Sequence, residues 1–271
     1  MLTGRKETTQ VKTAKLDKHV LYEKAVQAPD ADARFMRRVF KRLRARTPLV
    51  LREDFCGTSA LCCEWVRTEP GASAFGIDLH KPTLEWAEAN NLSKIGPVKN
   101  RISLIHGDVL DDHLVNADVA VAFNFSYYCF KTRRQLSSYC RKVFESLKED
   151  GIFFLDIYGG PSSMVVQEEE TDHDDFVYIW DQAKHNPITG EILCHIHFRL
   201  PGGRTMRRAF TYDWRLWTIP ELTDVLEEAG FGEVRIYWEG TDKDGDGNGI
   251  FRHSRKGDDS EAYIAYVAAL K

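Results

Sequence analysis

The stretch LVLREDFCGTSALCCEW, residues 49–65, runs from apolar residues into two acids, Glu53 and Asp54, then one glycine, Gly57, and then a helix-like pattern. A strand feeding a turn and then a helix leaves backbone N–H groups facing outward, where a nucleotide-like ligand is usually held. Cys56, Gly57, Thr58, Ser59 and Ala60 are small enough for close approach. Phe55, however, stands where a dinucleotide fingerprint has glycine. Alone, the motif reads more readily as an ordinary strand-to-helix turn than as a cofactor loop. Two later acids change that. Asp78 closes the next apolar run about 20 residues on, where a carboxylate can accept both ribose hydroxyls of an adenosine. Asp108 follows a third run, in HGDVL, within reach of an adenine edge. Aspartates often close strands, so each is bland by itself; three converging strand-end acids point to an adenosine site.

The elements needed to position these residues alternate between residues 30 and 158. Asp30 to Arg46 carries Phe35, Val39 and Leu43 among arginines, the spacing of an amphipathic helix. LVLRED, SAFGID, RISLIH, ADVAVAF and GIFFLDIY are short and apolar, as strands buried on both faces are. Thr132 and Gln135 predict a capping box before a helix with Leu136, Tyr139, Cys140, Val143 and Leu147 on one face, stopped at Gly151. Past Gly159, PSSMVVQEEETDHDDF reads as an acidic loop. Three strand-like runs follow, separated by NPITG and PGG, an antiparallel meander. Thr218 and Glu221 cap a last helix that ends at Gly230, and EVRIYWEG and EAYIAYVAAL close the chain as strands. The expected fold is α/β: a Rossmann-like, seven-stranded, mostly parallel sheet with helices on both faces and an inserted antiparallel β meander as a lid. The expected division is an N-terminal segment 1–29, a core of 30–159 and 216–271, and the insertion 160–215.

These motifs, in this order, resemble the class I S-adenosylmethionine-dependent methyltransferases of the small-molecule type. LREDFCGTSAL resembles their first motif, FGIDLHKPTLEWA the second, LIHGDVLD the third, ADVAVAFNFSYYCF the fourth and LKEDGIFFLDIYGG the fifth. WTIPELTDVLEEAGFGEVRIYWEG is similar to their late segment, so the resemblance spans about residues 20 to 271. Phe55 and Ser59 depart from it, standing where the family has glycines. The resemblance implies S-adenosyl-L-methionine as cofactor. It sets Glu53 or Asp54 toward the methionine end, Gly57 under the ribose and methionyl backbone, Asp78 with Leu79 at the ribose, and Asp108 with Val109 at the adenine. Asn124 would lie beside the transferred methyl, and Tyr22, in YEKAVQ, would fold over the cofactor together with Gln27.

Methyl transfer from a sulfonium is an in-line displacement with an already activated leaving group. The protein must chiefly align nucleophile, carbon and sulfur, which can supply on the order of 7 kcal/mol or more. Sulfonium also suits aromatic faces and carboxylates. Tyr127 and Tyr128, after the fourth strand, and Tyr158, after the fifth, are therefore expected at the methyl channel, competing with plain packing roles. Arg199, Arg204, Arg207, Arg208 and Arg215 crowd the meander. Arg199 and Arg207 are the expected contacts to an anionic acceptor, against the alternative that all five offset QEEETDHDD.

Other signals carry less. Asp242, Asp244, Asp246 and Gly247 imitate a calcium loop, but the eighth position is Gly249 and the twelfth is His253, so a solvated turn is expected. His195 and His197 alternate on a strand with His185 near, without a carboxylate or cysteine in clear register, so no metal is expected. A formal net charge of −4 offers no general attraction for nucleic acid or anionic lipid. NFSYY lacks the paired prolines of nucleic-acid amine methyltransferases. No apolar run approaches the roughly 20 residues of a membrane span, and the polar stretch to Lys18 lacks the apolar region of a secretory signal. The 6 cysteines contain no C-x-x-C pair and read as reduced thiols of a cytoplasmic protein. The leading expectation is methylation of a nitrogen or oxygen on a small-molecule acceptor by a monomer or homodimer. The alternatives are a protein or nucleic-acid methyltransferase, or a non-catalytic S-adenosylmethionine-binding domain.

Overall fold

In the run ADVAVA every residue is buried, and from Val119 to Ala122 its side chains alternate between two apolar layers. The computed structural model, which describes residues 17–113, 115–243 and 247–271, shows why. The chain forms α1 (Lys18–Val26), α2 (Pro29–Arg44), β1 (Val50–Asp54), α3 (Ala60–Thr68), β2 (Ser73–Asp78), α4 (Lys81–Asn90), β3 (Ile102–His106) and β4 (Ala117–Ala122). It continues through α5 (Arg133–Ser146), β5 (Leu147–Gly159), β6 (Gln167–His173), β7 (Phe176–Asn186), β8 (Glu191–Arg199) and β9 (Thr205–Arg215). α6 (Ile219–Ala229), β10 (Glu233–Thr241), β11 (Gly247–His253) and β12 (Tyr263–Leu270) complete it.

One sheet has the order β11-β10-β12-β5-β4-β1-β2-β3. Pairings from β3 through β5 are parallel, and those beyond β5 are antiparallel. Val119 and Val121 of β4 face the layer built with Phe35, Met36 and Phe40 of α2 and Trp65 of α3. Ala120 and Ala122 face the opposite layer, with Leu136 and Val143 of α5 and Leu222 and Val225 of α6. Helices therefore cover both faces, as the apolar strands require. Both anticipated capping boxes, at Thr132 and Thr218, form, and Gly230 ends α6 with φ 116°. No helix among the described residues is long and apolar enough to cross a membrane. All 6 cysteines are free thiols, and only Cys129 is exposed.

Three expectations need correction. The main sheet is 8-stranded rather than seven-stranded, because β11 pairs along β10 in the stretch expected to be a solvated turn. Asp244 and Asp246 of that stretch lie outside the described residues. The meander is 4-stranded, order β6-β7-β8-β9, because the acidic run expected as loop pairs with β7 from Gln167 to His173. Its glutamates are tolerated because β6 is an edge strand with mostly exposed side chains. Finally, α5 stops at Ser146 rather than at Gly151. Gly151 instead lies in a tight bend within β5, where a Cβ would sit 2.9 Å from both Leu147 Cβ and Lys148 O.

Asp118, at the start of β4, joins the first and fourth strands. Its Oδ2 accepts from Leu49 and Val50 N–H at 2.8 Å each, and its Oδ1 meets Arg46 at 2.8 Å and Lys148 at 2.9 Å. Burial raises this carboxyl, but the Val50, Lys148, Leu49 and Arg46 donors outweigh it and hold the group below the usual carboxylate range. Asp118→Ala is expected to destabilise the fold by about 2–3 kcal/mol, since it strands buried donors while its cationic partners stay partly solvated. Asp30→Ala, which removes an exposed i,i+4 pair with Arg34, should cost under about 0.5 kcal/mol. Urea unfolding of both variants checks this, and equal losses would remove Asp118 from its structural role.

Candidate active site

Sheet order reverses between β1 and β4, so the carboxyl ends of these strands diverge into a crevice. Phe55, Gly57 and Thr58 line it, on a path with three left-handed residues, Phe55 (φ 56°), Gly57 (φ 50°) and Ser59 (φ 57°). Phe55 and Ser59 thus adopt a glycine-like path without being glycines, at roughly 1–2 kcal/mol each. Packing of the Phe55 ring on Phe130 and Tyr139, at 6.0 and 5.8 Å, offsets part of this. At Gly57 a Cβ would meet only Phe55 O, at 4.0 Å, so that face of the loop is open. Asp78, at the end of β2, accepts from Gly57 N–H at 2.8 Å and from His80 N–H at 2.7 Å. Glu53, at the end of β1, accepts from Cys62 N–H at 2.9 Å in the first turn of α3.

Three cavities meet at Asn124. The largest, about 380 Å³, is a cleft lined by Gln27, Phe55, Gly57, Thr58, Asp78 and His80, among others. The second, about 190 Å³, lies under the meander and is walled by aromatic rings. Tyr22, Asn124, Tyr212 and Trp214 line both. The third, about 20 Å³, holds Asp32 and Glu53 and also touches Asp54. Asn124 (φ 57°) and Phe125 (φ 54°) are consecutive left-handed residues. Asp156 of β5 holds them there, accepting from Asn124 N–H at 2.7 Å and Phe125 N–H at 2.9 Å.

Burial pushes three of these acids up. Glu53 reaches about 8, against opposing hydrogen bonds from Cys62, with Asp32 and Asp78 adding repulsion. Asp156 reaches about 7 and Asp32, whose Oδ1 accepts from Tyr266 Oη at 2.6 Å, about 6. Asp54 differs. Its carboxylate is spent on Arg52 Nε at 2.8 Å and Tyr139 Oη at 2.8 Å, leaving Glu53 as the first-strand acid that remains available.

Not every anticipated residue reaches the cavities. Tyr127 and Tyr128 are fully buried in a single 3₁₀ turn, Ser126–Cys129, their hydroxyls donating to Asp156 O and Tyr158 O. They pack beneath the site instead of lining a methyl channel. Arg199 and Arg207 also stay outside. Arg199 pairs with Glu170 and borders a separate surface depression, and Arg207 is exposed. Strand parity is the reason. Phe198 pairs with Tyr178 on the cavity side, so Arg199, paired with Val177, faces away. Leu79 is 63% exposed and Val109 is buried in the core. Asp108 is half-buried after β3, where its carboxylate accepts from Leu110 N–H, and it does not line the cleft. Tyr158 does line the aromatic cavity. Sequence reasoning missed Asp156, although a lone acid within GIFFLDIY was a signal, and it missed Glu169, Trp180, Tyr212 and Trp214, which only the meander's register reveals.

The carboxylates that seemed absent near the strand histidines are present, since Glu168, Asp181 and His197 place ligand atoms within 4.8 Å of one another. However, Arg208 N–H donates to His197 Nδ1 at 2.6 Å, so Nε2 carries the proton and donates to Asp181 at 3.2 Å. In that tautomer the ring has no lone pair facing the carboxylates.

No family model and no curated protein matches the chain by sequence. Solved structures do match. A Clostridium acetobutylicum S-adenosylmethionine-dependent methyltransferase is 16% identical, TM-score 0.66, over 93% of this chain and 97% of its own. An S-adenosylmethionine-bound amino pentose methyltransferase from Micromonospora echinaspora is 13% identical, TM-score 0.65, over 93% and 96%. A Streptoalloteichus sugar N-methyltransferase is 17% identical, TM-score 0.63, over 99% and 98%. The chain therefore has the Rossmann-like fold of the class I S-adenosylmethionine-dependent methyltransferases.

Proposed function

We propose that the protein transfers the methyl group of S-adenosyl-L-methionine to a nitrogen or oxygen of a small-molecule acceptor. One observation carries this reading. The cleft at the ends of β1, β2 and β4, with Gly57 and Asp78 in its wall, adjoins a separate aromatic cavity across Asn124. Two ligands held in these chambers would meet at one residue, the geometry that a displacement between them needs.

The chain's residues fit the cofactor. The open face at Gly57 leaves room for a ribose, and Asp78 keeps unused lone pairs on both carboxylate oxygens for its hydroxyls. Glu53 and Asp32, buried together, suit the cationic methionine end. Asp108 and Val109 follow β3 beside β2, but neither lines the cleft, so only the family resemblance carries their adenine assignment. Bound there, the cofactor would supply an activated methyl group, while the protein aligns the acceptor. Structural neighbours named as amino pentose and sugar N-methyltransferases support a small-molecule acceptor.

Asp78→Ala should weaken S-adenosylmethionine binding by about 1.5–3 kcal/mol, typical of a hydrogen bond to a charged group. Because Asp78 also holds Gly57 N–H, Asp78→Asn provides the control that keeps part of that bond. Calorimetric titration reads both, and undiminished affinity in both would remove the ribose assignment.

The raised acids give a second expectation. Their folded values, about 6, 7 and 8, lie above the unfolded value of about 4. The stability they contribute is complete below pH ~4 and lost as pH rises through 6–8. The melting temperature of the ligand-free protein should therefore fall between pH 6.5 and 8.5, less steeply in Glu53→Gln and less steeply with S-adenosylmethionine bound, whose positive charge favours the ionised acids. A melting temperature that is flat or rising with pH in the wild type would contradict this.

A further inference from the structure

Seven of the 12 residues that line the second chamber are aromatic. β9 contributes Tyr212 and Trp214, stacked at 4.3 Å, and β7 contributes Trp180, 6.2 and 6.3 Å from these two rings. Phe125 stands 6.4 Å from Trp214 at an interplanar angle of 89°, and 5.8 Å from Tyr158. Tyr22 of α1 and Tyr178 of β7 add two more rings, and Val26, Ile196 and Ile264 supply the aliphatic part of the lining. Among the described residues that line the chamber, Glu169 of β6 is the one charged side chain, and none is basic. Its charge is felt inside, since it adds to the burial that pushes up the hydroxyls of Tyr158 and Tyr178. The tyrosines therefore stay neutral at physiological pH.

We infer that this chamber takes an amine acceptor, attracted as its ammonium by the aromatic faces and Glu169. The inference rests on the methyl-transfer reading above and narrows it to nitrogen. Aromatic faces carry negative potential and draw cations, most strongly when the contact is desolvated. An anionic acceptor would meet Glu169 and no compensating cation, because Arg199 lies on the opposite face of the meander and Arg207 is exposed outside the chamber. A carboxylate or phenolate would also lose its charge on methylation, so the π faces would stabilise nothing that develops in the transition state. An amine keeps charge in play. After its ammonium proton passes to solvent water, the nitrogen lone pair attacks the methyl carbon. The N–C bond forms as the C–S bond breaks with its electron pair passing to sulfur, and the product is an ammonium. Positive charge thus moves from the cleft into the aromatic chamber as the reaction proceeds, where the walls favour the transition state over the neutral amine.

Choline and its uncharged isostere 3,3-dimethylbutan-1-ol test the inference, each followed through its nine-proton methyl resonance during titration of the full chain. Titrations run with and without S-adenosylhomocysteine filling the cleft, and calorimetry measures that ligand's affinity separately. Choline is expected to bind at least tenfold more tightly than the isostere with the cleft filled. Glu169→Gln should reduce choline binding about three- to tenfold and Trp180→Leu about tenfold, leaving the isostere's affinity within twofold in Glu169→Gln. Neither residue lines the cleft, so the affinity for S-adenosylhomocysteine should hold in both variants. Equal affinity for the two ligands, or no choline binding, would overturn the inference. Choline discrimination that survives both substitutions would overturn it too, by placing the cation elsewhere. If S-adenosylhomocysteine fails to bind while choline discrimination and its loss in the variants persist, the methyl-transfer reading falls and the cation-selective chamber stands.

Discussion

Two backbone N–H groups, those of Asn124 and Phe125, converge on the buried carboxyl of Asp156, and much of the site's shape depends on that contact. Two consecutive left-handed residues without glycine are unfavourable, by roughly 1–2 kcal/mol at Phe125 and less at Asn124, so the pair needs a partner that over-determines it. Asp156 supplies one from the neighbouring strand. The 3₁₀ turn that follows reinforces it, with Tyr127 donating to Asp156 O and Tyr128 to Tyr158 O. The outcome is a rigid corner at the end of β4. It points Asn124 into three cavities and Phe125 into the aromatic chamber, directly above the reversal of strand order.

The order of strands and helices was legible in the sequence because buried parallel strands are written as unbroken apolar runs and capped helices announce their first turn. Asp78 and Gly57 could be placed for the same reason, since both sit at junctions between such runs. What stayed hidden depends on long-range pairing. Nothing local says that QEEETDH is a strand; it becomes one by hydrogen-bonding to β7 with its charges in solvent. Likewise, Arg199 and Phe198 are adjacent in the chain, and only the register with Val177 and Tyr178 decides which of them looks into the chamber. Tyr127 and Tyr128 could be taken for channel residues because the tight turn that tucks them under the corner leaves no mark in composition. Phe55 and Ser59 hid the loop's path in another way, since their left-handed backbone is one that side chains rarely announce.

The two larger chambers are built of different materials. The wall of the cleft carries both Asp78 and Lys18, and Glu53 and Asp32 lie in the small cavity beside it. The other chamber sets ring faces beside one glutamate. Crowding unpaired carboxyls in a low-dielectric place is unfavourable, and the upward displacement of Glu53, Asp156 and Asp32 is its signature. Such an arrangement is eased by bringing positive charge close to Glu53 and Asp32.

The wall between the chambers has a consequence for ligand design. Tyr22, Asn124, Tyr212 and Trp214 line both spaces, so the boundary there is a single layer of side chains. A bisubstrate molecule, one half shaped to the cleft and the other to the aromatic chamber, would need only a short tether past Asn124. Seating the first half would make seating of the second intramolecular, at an effective concentration on the order of mM. Its affinity would then far exceed that of either half, with most of the gain residing in the joint between them.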